Sequence, residues 1–173
     1  VLPNQDASGF ARVFAPKAYG ACSLHNASAT GAMDVVALFS SVAALLGGAG
    51  QANYAAANAC LDALSTSRRT HGVAGASVQW GAWSEVGMAA RGVASERMAA
   101  MEAAAGFGRI SLAQGLGAMG LAVLPHAPPL LGVVPVEWHR MLGGVAAFVV
   151  LWGYNMSFQT FLREDAAFIQ FIT

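Results

Sequence analysis

Charged side chains are scarce in this chain: nine Lys or Arg and nine Asp or Glu among 173 residues leave a formal net charge of zero. No basic block exists, which excludes electrostatic capture of nucleic acid or of an anionic membrane surface. Cysteine is nearly absent as well. Cys22 and Cys60 are too few for a disulfide framework and fall inside helical patterns, so buried thiols in a reducing, cytoplasmic compartment are expected. The longest apolar stretch, Gly143 to Gly153, has eleven residues, whereas a bilayer core needs about 20; no membrane anchor is expected. The opening VLPNQDASGF lacks the basic-then-apolar order of a secretory leader, and Val1 in place of Met is read as a start inside a longer protein. Metal ligands are sparse: Cys22 and His25 form a CxxH pair with no second pair to complete it, so no metal is expected. Ser41 has no GxSxG frame, which sets nucleophilic hydrolysis aside. Gly48 and Gly50 begin a GxGxxG pattern, but Asn53 stands at its sixth position, so this loop is not a dinucleotide fingerprint.

What the chain does have is apolar and small. Hydrophobic residues make up 56% of it, much of that alanine, beside 20 glycines, a composition for helices packed closely on a sheet. Phe10, Val13, Phe14, Lys17, Ala21 and Leu24 recur at three and four, predicting a helix from Ser8 to about Ala27 capped by Asp6 or Ser8. Asp34 to Phe39 is a continuous apolar run of the kind that forms parallel strands covered on both faces. A glycine-rich loop, Ser40 to Ala52, leads into a helix over Asn53 to Arg69 that Gly72 closes, and Ala76 to Trp80 reads as the next strand. Strand, loop, helix and strand in that order form a βαβ unit. Further on, Ser95 to Ala105 and Ser111 to Leu124 are expected as helices broken at Gly106 to Gly108. Pro125 to Pro129 is a turn and Leu130 to Val134 a final strand.

Chemistry concentrates in FSSVAALLGGAGQANYAAANACLDAL and in the upstream APKAYGACSLH. Ser41 ends the first strand, where open α/β sheets bind ligands, and Tyr54 and Asn58 lie four apart on one helix face. A phenol can give a proton to a ketone oxygen, a serine can hold that oxygen, and a nearby lysine favours the charged form of a phenol. Lys17, Ser41, Tyr54 and Asn58 therefore suit carbonyl reduction. Singly, a Ser, Tyr or Asn here would be a loop or capping residue.

FSS, the GG-G-Q-NY loop, YAAAN and WGAW resemble the ketoreductase domain of modular polyketide synthases and animal-type fatty acid synthases, within the short-chain dehydrogenase/reductase superfamily. The resemblance runs from about Val1 to Leu142 and implies an α/β fold, a partial Rossmann-like doubly wound parallel sheet. It makes residues 1–142 the C-terminal portion of a ketoreductase domain and leaves 143–173 as an unassigned hydrophobic tail. It also implies a tetrad: Tyr54 as proton donor, Ser41 as hydrogen-bond partner of the ketone, Lys17 acting on Tyr54 and feeding a proton relay, and Asn58 ordering that relay. Ser40 has the weaker claim, its spacing to Tyr54 being one too long. NADPH would supply hydride, with Trp80, Gly81 and Trp83 as cofactor-side or lid contacts, although Trp80 fits a packing role equally well. His25 would be local packing. The substrate implied is a β-ketoacyl chain on an acyl carrier domain, beside other synthase domains. Leu46 stands where ketoreductases of one stereochemical outcome carry Trp. The first strands and pyrophosphate loop of the family have no counterpart here, so the chain alone is expected to bind no NADPH and to be inactive. Two rival readings are a non-catalytic or truncated relic, and a stand-alone reductase of small ketones, which the synthase-like segment Gly106 to Trp138 disfavours.

Overall fold

The structure is a computed structural model, and it describes residues 6–28, 31, 33–48, 50–85, 102–141 and 169–171. The expected helix over Ser95 to Ala105 lies largely outside these residues, as does most of the tail. The chain divides into two compact units. The first comprises Val1–Gly81, Leu116–Val133 and Ile169–Thr173, and the second Ala82–Gly115 and Val134–Phe168.

The first helical stretch is three pieces rather than one: α1 (Ala7–Phe14), a wider π turn over Ala15–Tyr19, and α2 (Gly20–Ala27). Asp6 caps α1, its Oδ1 accepting from Gly9 N at 2.6 Å. That backbone bond holds the Asp6 carboxyl below its usual range. The π turn has a local cause. Pro16 offers no N–H to the helix ladder and its ring crowds the carbonyl one turn back, so an unbroken α-helix is disfavoured there. Gly20 N bonds instead to Ala15 O, five residues back. The extra residue shifts the inward face by one position. Before the turn Phe10, Val13 and Phe14 are partly covered, within it Lys17 is partly covered and Ala18 buried, and after it Ala21 and His25 face inward while Leu24, expected inward, is exposed. The same shift turns Cys22 outward. Cys60 lies on the outer side of its helix, so both thiols are exposed, correcting the expectation of burial.

The sheet contains β1 (Ala37–Ser41), β2 (Ala76–Trp80), β3 (Leu130–Val133) and β4 (Ile169–Phe171), in that spatial order. The first three are parallel, and β4 adds antiparallel to β3 from within the tail. β1 starts three residues later than its apolar run and takes in Ser41; the predicted loop after it contains a short helix, α3 (Ala43–Leu46). The long helix α4 (Ala52–Thr70) joins β1 to β2. Every residue of β2 is buried, as a strand covered on both faces requires. β1, β2 and β3 with their crossover helix form part of a Rossmann-like α/β sheet. The helix α5 (Leu112–Ala122) precedes β3. No helix among the described residues is long and apolar enough to cross a membrane.

In the second unit, Trp83 and Ile110 form a parallel bridge and Phe107 and Val136 an antiparallel one. Gly106 turns with φ 82°, and a Cβ there would lie 2.7 Å from Met141 N in the short helix α6 (Trp138–Met141), so only glycine fits.

Leu61 of α4 is buried with Ala21 and Leu38, flanked by Val36 and Leu64, and so clamps α4 to α2 and β1. Leu61→Ala is expected to lower unfolding free energy by about 2–5 kcal/mol. Denaturant unfolding of the variant in its folded domain checks this, and a loss below about 1 kcal/mol contradicts the clamp.

Candidate active site

Three elements bring the predicted residues to one region of the first unit. The π turn carries Lys17, the carboxyl end of β1 carries Ser41, and the first turns of α4 carry Tyr54 and Asn58. Lys17 Nζ donates to Asn58 Oδ1 at 2.7 Å and to Phe39 O on β1 at 3.2 Å. The same ammonium lies 5.2 Å from the centroid of the Tyr54 ring, within cation–π range. Asn58 is wholly buried. Its Nδ2 donates to Tyr54 O at 2.9 Å, and because Lys17 can only donate, the bond to Nζ fixes which end of the amide is oxygen. Burial lowers the Lys17 pKa, and the negative charge of Asp62 opposes that shift.

Ser41 sits apart from this cluster. Its Oγ accepts from Ala43 N at 3.2 Å, closing the turn from β1 into α3, and among the described residues it bonds to none of the other three. Ser40, its neighbour, points to the opposite face. It is buried and donates to Asn58 O at 3.3 Å, supporting the helix rather than facing ligand. Strand alternation thus separates the two serines, as the spacing argument did. Asn53 anchors the start of α4: its Nδ2 donates to Gly9 O at 3.2 Å and its Oδ1 accepts from Tyr54 N at 2.8 Å.

The remaining candidates are placed less directly. Trp80 is buried and its ring packs on Phe39 with centroids 5.6 Å apart. Gly81 follows it at the carboxyl end of β2, its N–H donating to Val133 O at 2.8 Å. Trp83 belongs to the second unit, where a Cβ on Gly115 would overlap its ring, so that glycine is its seat. Leu46 is exposed at the end of α3. His25, expected as packing, accepts from Nη1 of the buried Arg68 at 2.7 Å. Two further residues escaped the sequence reading. Asp62, one turn beyond Asn58, is buried and accepts from Ser77 and Gln79. Arg68 ties the end of α4 to Ala74 O. Their signal was the spacing of Asn58, Asp62, Ser65 and Arg68 on one face of a helix.

The glycine turn before α4 does not form a phosphate cradle. A Cβ at Gly48 would lie 2.6 Å from Gln51 Oε1, so the turn is folded onto its own glutamine. Among the described residues no group of three or more His, Cys, Asp or Glu could hold a metal.

This arrangement coincides with a known family. Residues 1–85 match the KR domain model. The chain is 38% identical over 147 residues to polyketide synthase GfsB of Streptomyces halstedii, a match covering 85% of this chain and 2% of that protein. The first ketoreductase of the tylosin PKS superposes with TM-score 0.70 at 35% identity, over 82% of this chain and 30% of that one. The chain belongs to the polyketide synthase ketoreductases. An A-type ketoreductase from a modular polyketide synthase gives TM-score 0.72 at 33% identity, over 80% of this chain and 28% of that one. The ketoreductase chain therefore spans a small part of the relatives it matches.

Burial of Lys17 has a pH signature. Its folded pKa lies below the ordinary lysine value of 10.5, so between those two values the unfolded state holds more protons and stability rises with pH. Below the folded pKa the penalty is fully present. The stability of Lys17→Met relative to wild type is expected to be most favourable at neutral pH and to decline as pH approaches 10.5. Unfolding midpoints of both proteins across that range test it, and a difference independent of pH contradicts the burial.

Proposed function

We propose that the chain is the catalytic portion of a ketoreductase that reduces a β-ketoacyl thioester on an acyl carrier domain to the β-hydroxyacyl form, using NADPH. The observation that carries this reading is the Lys17, Asn58 and Tyr54 cluster: an ammonium bonded to a buried amide and set over the face of a phenol. When bound, the reduced nicotinamide supplies the hydride that adds to the β-carbon. The carboxyl ends of β1 and β2 suit the nicotinamide end of such a cofactor, with Gly81 as its neighbour and Trp80 packed on Phe39; Trp83 keeps the cofactor-side or lid role that the resemblance implies for it. The residues do not fit the pyrophosphate end, since the glycine turn ahead of the long helix α4 is filled by Gln51.

In this reading the Tyr54 hydroxyl donates its proton to the developing alkoxide oxygen, and the Ser41 hydroxyl donates a hydrogen bond to the same oxygen. Lys17 stabilises the phenolate that remains and leads a proton back to it. Asn58 holds Lys17 in place and completes the path. General acid catalysis of this kind is worth roughly 10²–10⁴-fold. The domain would act among the other domains of a synthase, with residues 1–142 as the reductase portion and β4 of the tail added to its sheet.

In a complete ketoreductase domain containing this chain, Tyr54→Phe is expected to cut kcat on a β-ketoacyl thioester by about 10²–10⁴-fold, with the NADPH dissociation constant nearly unchanged. Phenylalanine keeps the ring under Lys17 and removes only the proton. Ser41→Ala should cost less, because one hydrogen bond is lost and the proton source is kept. If Tyr54→Phe retains more than about a tenth of the wild-type kcat, the tyrosine is not the acid and the assignment fails.

A further inference from the structure

One helical turn beyond Asn58, α4 directs a second ionisable side chain at the sheet. Asp62 is only 7% exposed. Its Oδ1 accepts from Ser77 Oγ at 2.6 Å and its Oδ2 from Gln79 Nε2 at 2.8 Å. Both donors are neutral, and among the described residues Asp62 has no salt bridge. A buried carboxylate served only by neutral donors is costly unless a cation lies near enough to compensate. Hydroxyl and amide partners do not require that charge, since an asparagine would satisfy them. Lys17 is bonded to Asn58, the residue one helical turn before Asp62 on the same buried face of α4, and so brings a cation to that face.

We propose that Asp62 is a positioning residue of the site: a fixed, buried negative charge that keeps Lys17 charged and directed at the Asn58 amide. This rests on the role given to Lys17 in the proposed reaction. Of the ionisable groups on the elements packed around Lys17, Tyr54 presents its ring and Asp62 its charge. Arg68 and His25 are bonded to each other, Arg69 is bonded to Gly75 O and Pro125 O, and Arg12, Tyr19, Cys22, Cys60 and His71 are exposed. None of these replaces Asp62 as the counter-charge.

Asp62→Asn separates charge from packing. Gln79 Oε1 is buried without a hydrogen-bond partner, so turning the Gln79 amide over lets that oxygen accept from the new side-chain amide. The network can survive while the charge is lost. Lys17 is the single lysine of the chain, so isotope labelling of lysine Cε reports its titration by NMR without further assignment. Asp62→Asn is expected to move that titration to lower pH than in wild type, while Ser77→Ala, which removes a donor and keeps the charge, leaves it in place. In a complete ketoreductase domain the alkaline limb of the kcat profile should move to lower pH with Asp62→Asn alone. An unmoved Lys17 titration in Asp62→Asn, or an equal displacement in Ser77→Ala, overturns the proposal. If Asp62→Asn fails to fold, Asp62→Glu serves instead: it keeps the charge, and a displaced titration there overturns the proposal. Failure of the catalytic roles given to Tyr54 and Lys17 looks different, because Tyr54→Phe and Lys17→Met would then retain activity while the titration difference between wild type and Asp62→Asn persisted.

Discussion

The hydrogen bond from Lys17 Nζ to Asn58 Oδ1 is the constraint on which the site depends. Asn58 is fully buried, and each end of its amide has one partner, Tyr54 O on its own helix and Lys17 from the π turn. A buried carbonyl left without its donor costs about 1–3 kcal/mol, so the amide holds the ammonium as firmly as the ammonium holds the amide. The second bond of Lys17, to Phe39 O, reaches the strand that delivers Ser41. One side chain thereby sets the distances among the π turn, β1 and the start of α4. Asn53 fixes the remaining freedom by tying that start to Gly9 on α1.

The inner face of α4 departs from the apolar character of the chain. Asn58, Asp62 and Ser65 recur at four and three along it: the Asp62 and Ser65 side chains are bonded at the sheet side, to Ser77 and Gln79 and to Pro129 O at 2.8 Å, and the Asn58 backbone carbonyl accepts there from Ser40. Apolar contact is left to Ala57 and Leu61 between them. Such a stripe specifies register more strictly than bulk packing, because a displaced helix would bury several polar groups without partners. A site that needs Tyr54 and Lys17 held in one relation is served by a helix that fits the sheet in one way.

Much of this was legible in the sequence. The β2 boundaries, Ala76 to Trp80, agree to the residue with the strand expected after the helix that Gly72 closes. The cluster of Lys17, Tyr54 and Asn58 was found through the phenol, its amide four residues on and an upstream lysine. Three things were not visible. β1 begins only at Ala37, three residues into the apolar run, because its ladder with β2 spans Ala37↔Ala76 to Ser41↔Trp80. Asp62 was passed over because a lone acidic residue in a helix ordinarily faces water, and only the opposing Ser77 and Gln79 make its burial tolerable. The outward placement of Leu24 and Cys22 followed from the π turn, since a helical period laid over Pro16 assumes one phase where the chain has two.

That change of phase makes the length of the segment a functional quantity. An α-helix advances about 100° per residue, so deleting Pro16, the residue that interrupts the ladder, would let it close as a regular helix with sounder backbone bonding. The shorter helix could keep either the face of Phe10 and Phe14 or that of Ala21 and His25 against α4, and in one of the two outcomes the Lys17 stem swings away from the Asn58 amide. The irregular turn is thus maintained against a locally better alternative, and natural or engineered variation here should admit exchanges of side chain far more readily than a change in the count of residues.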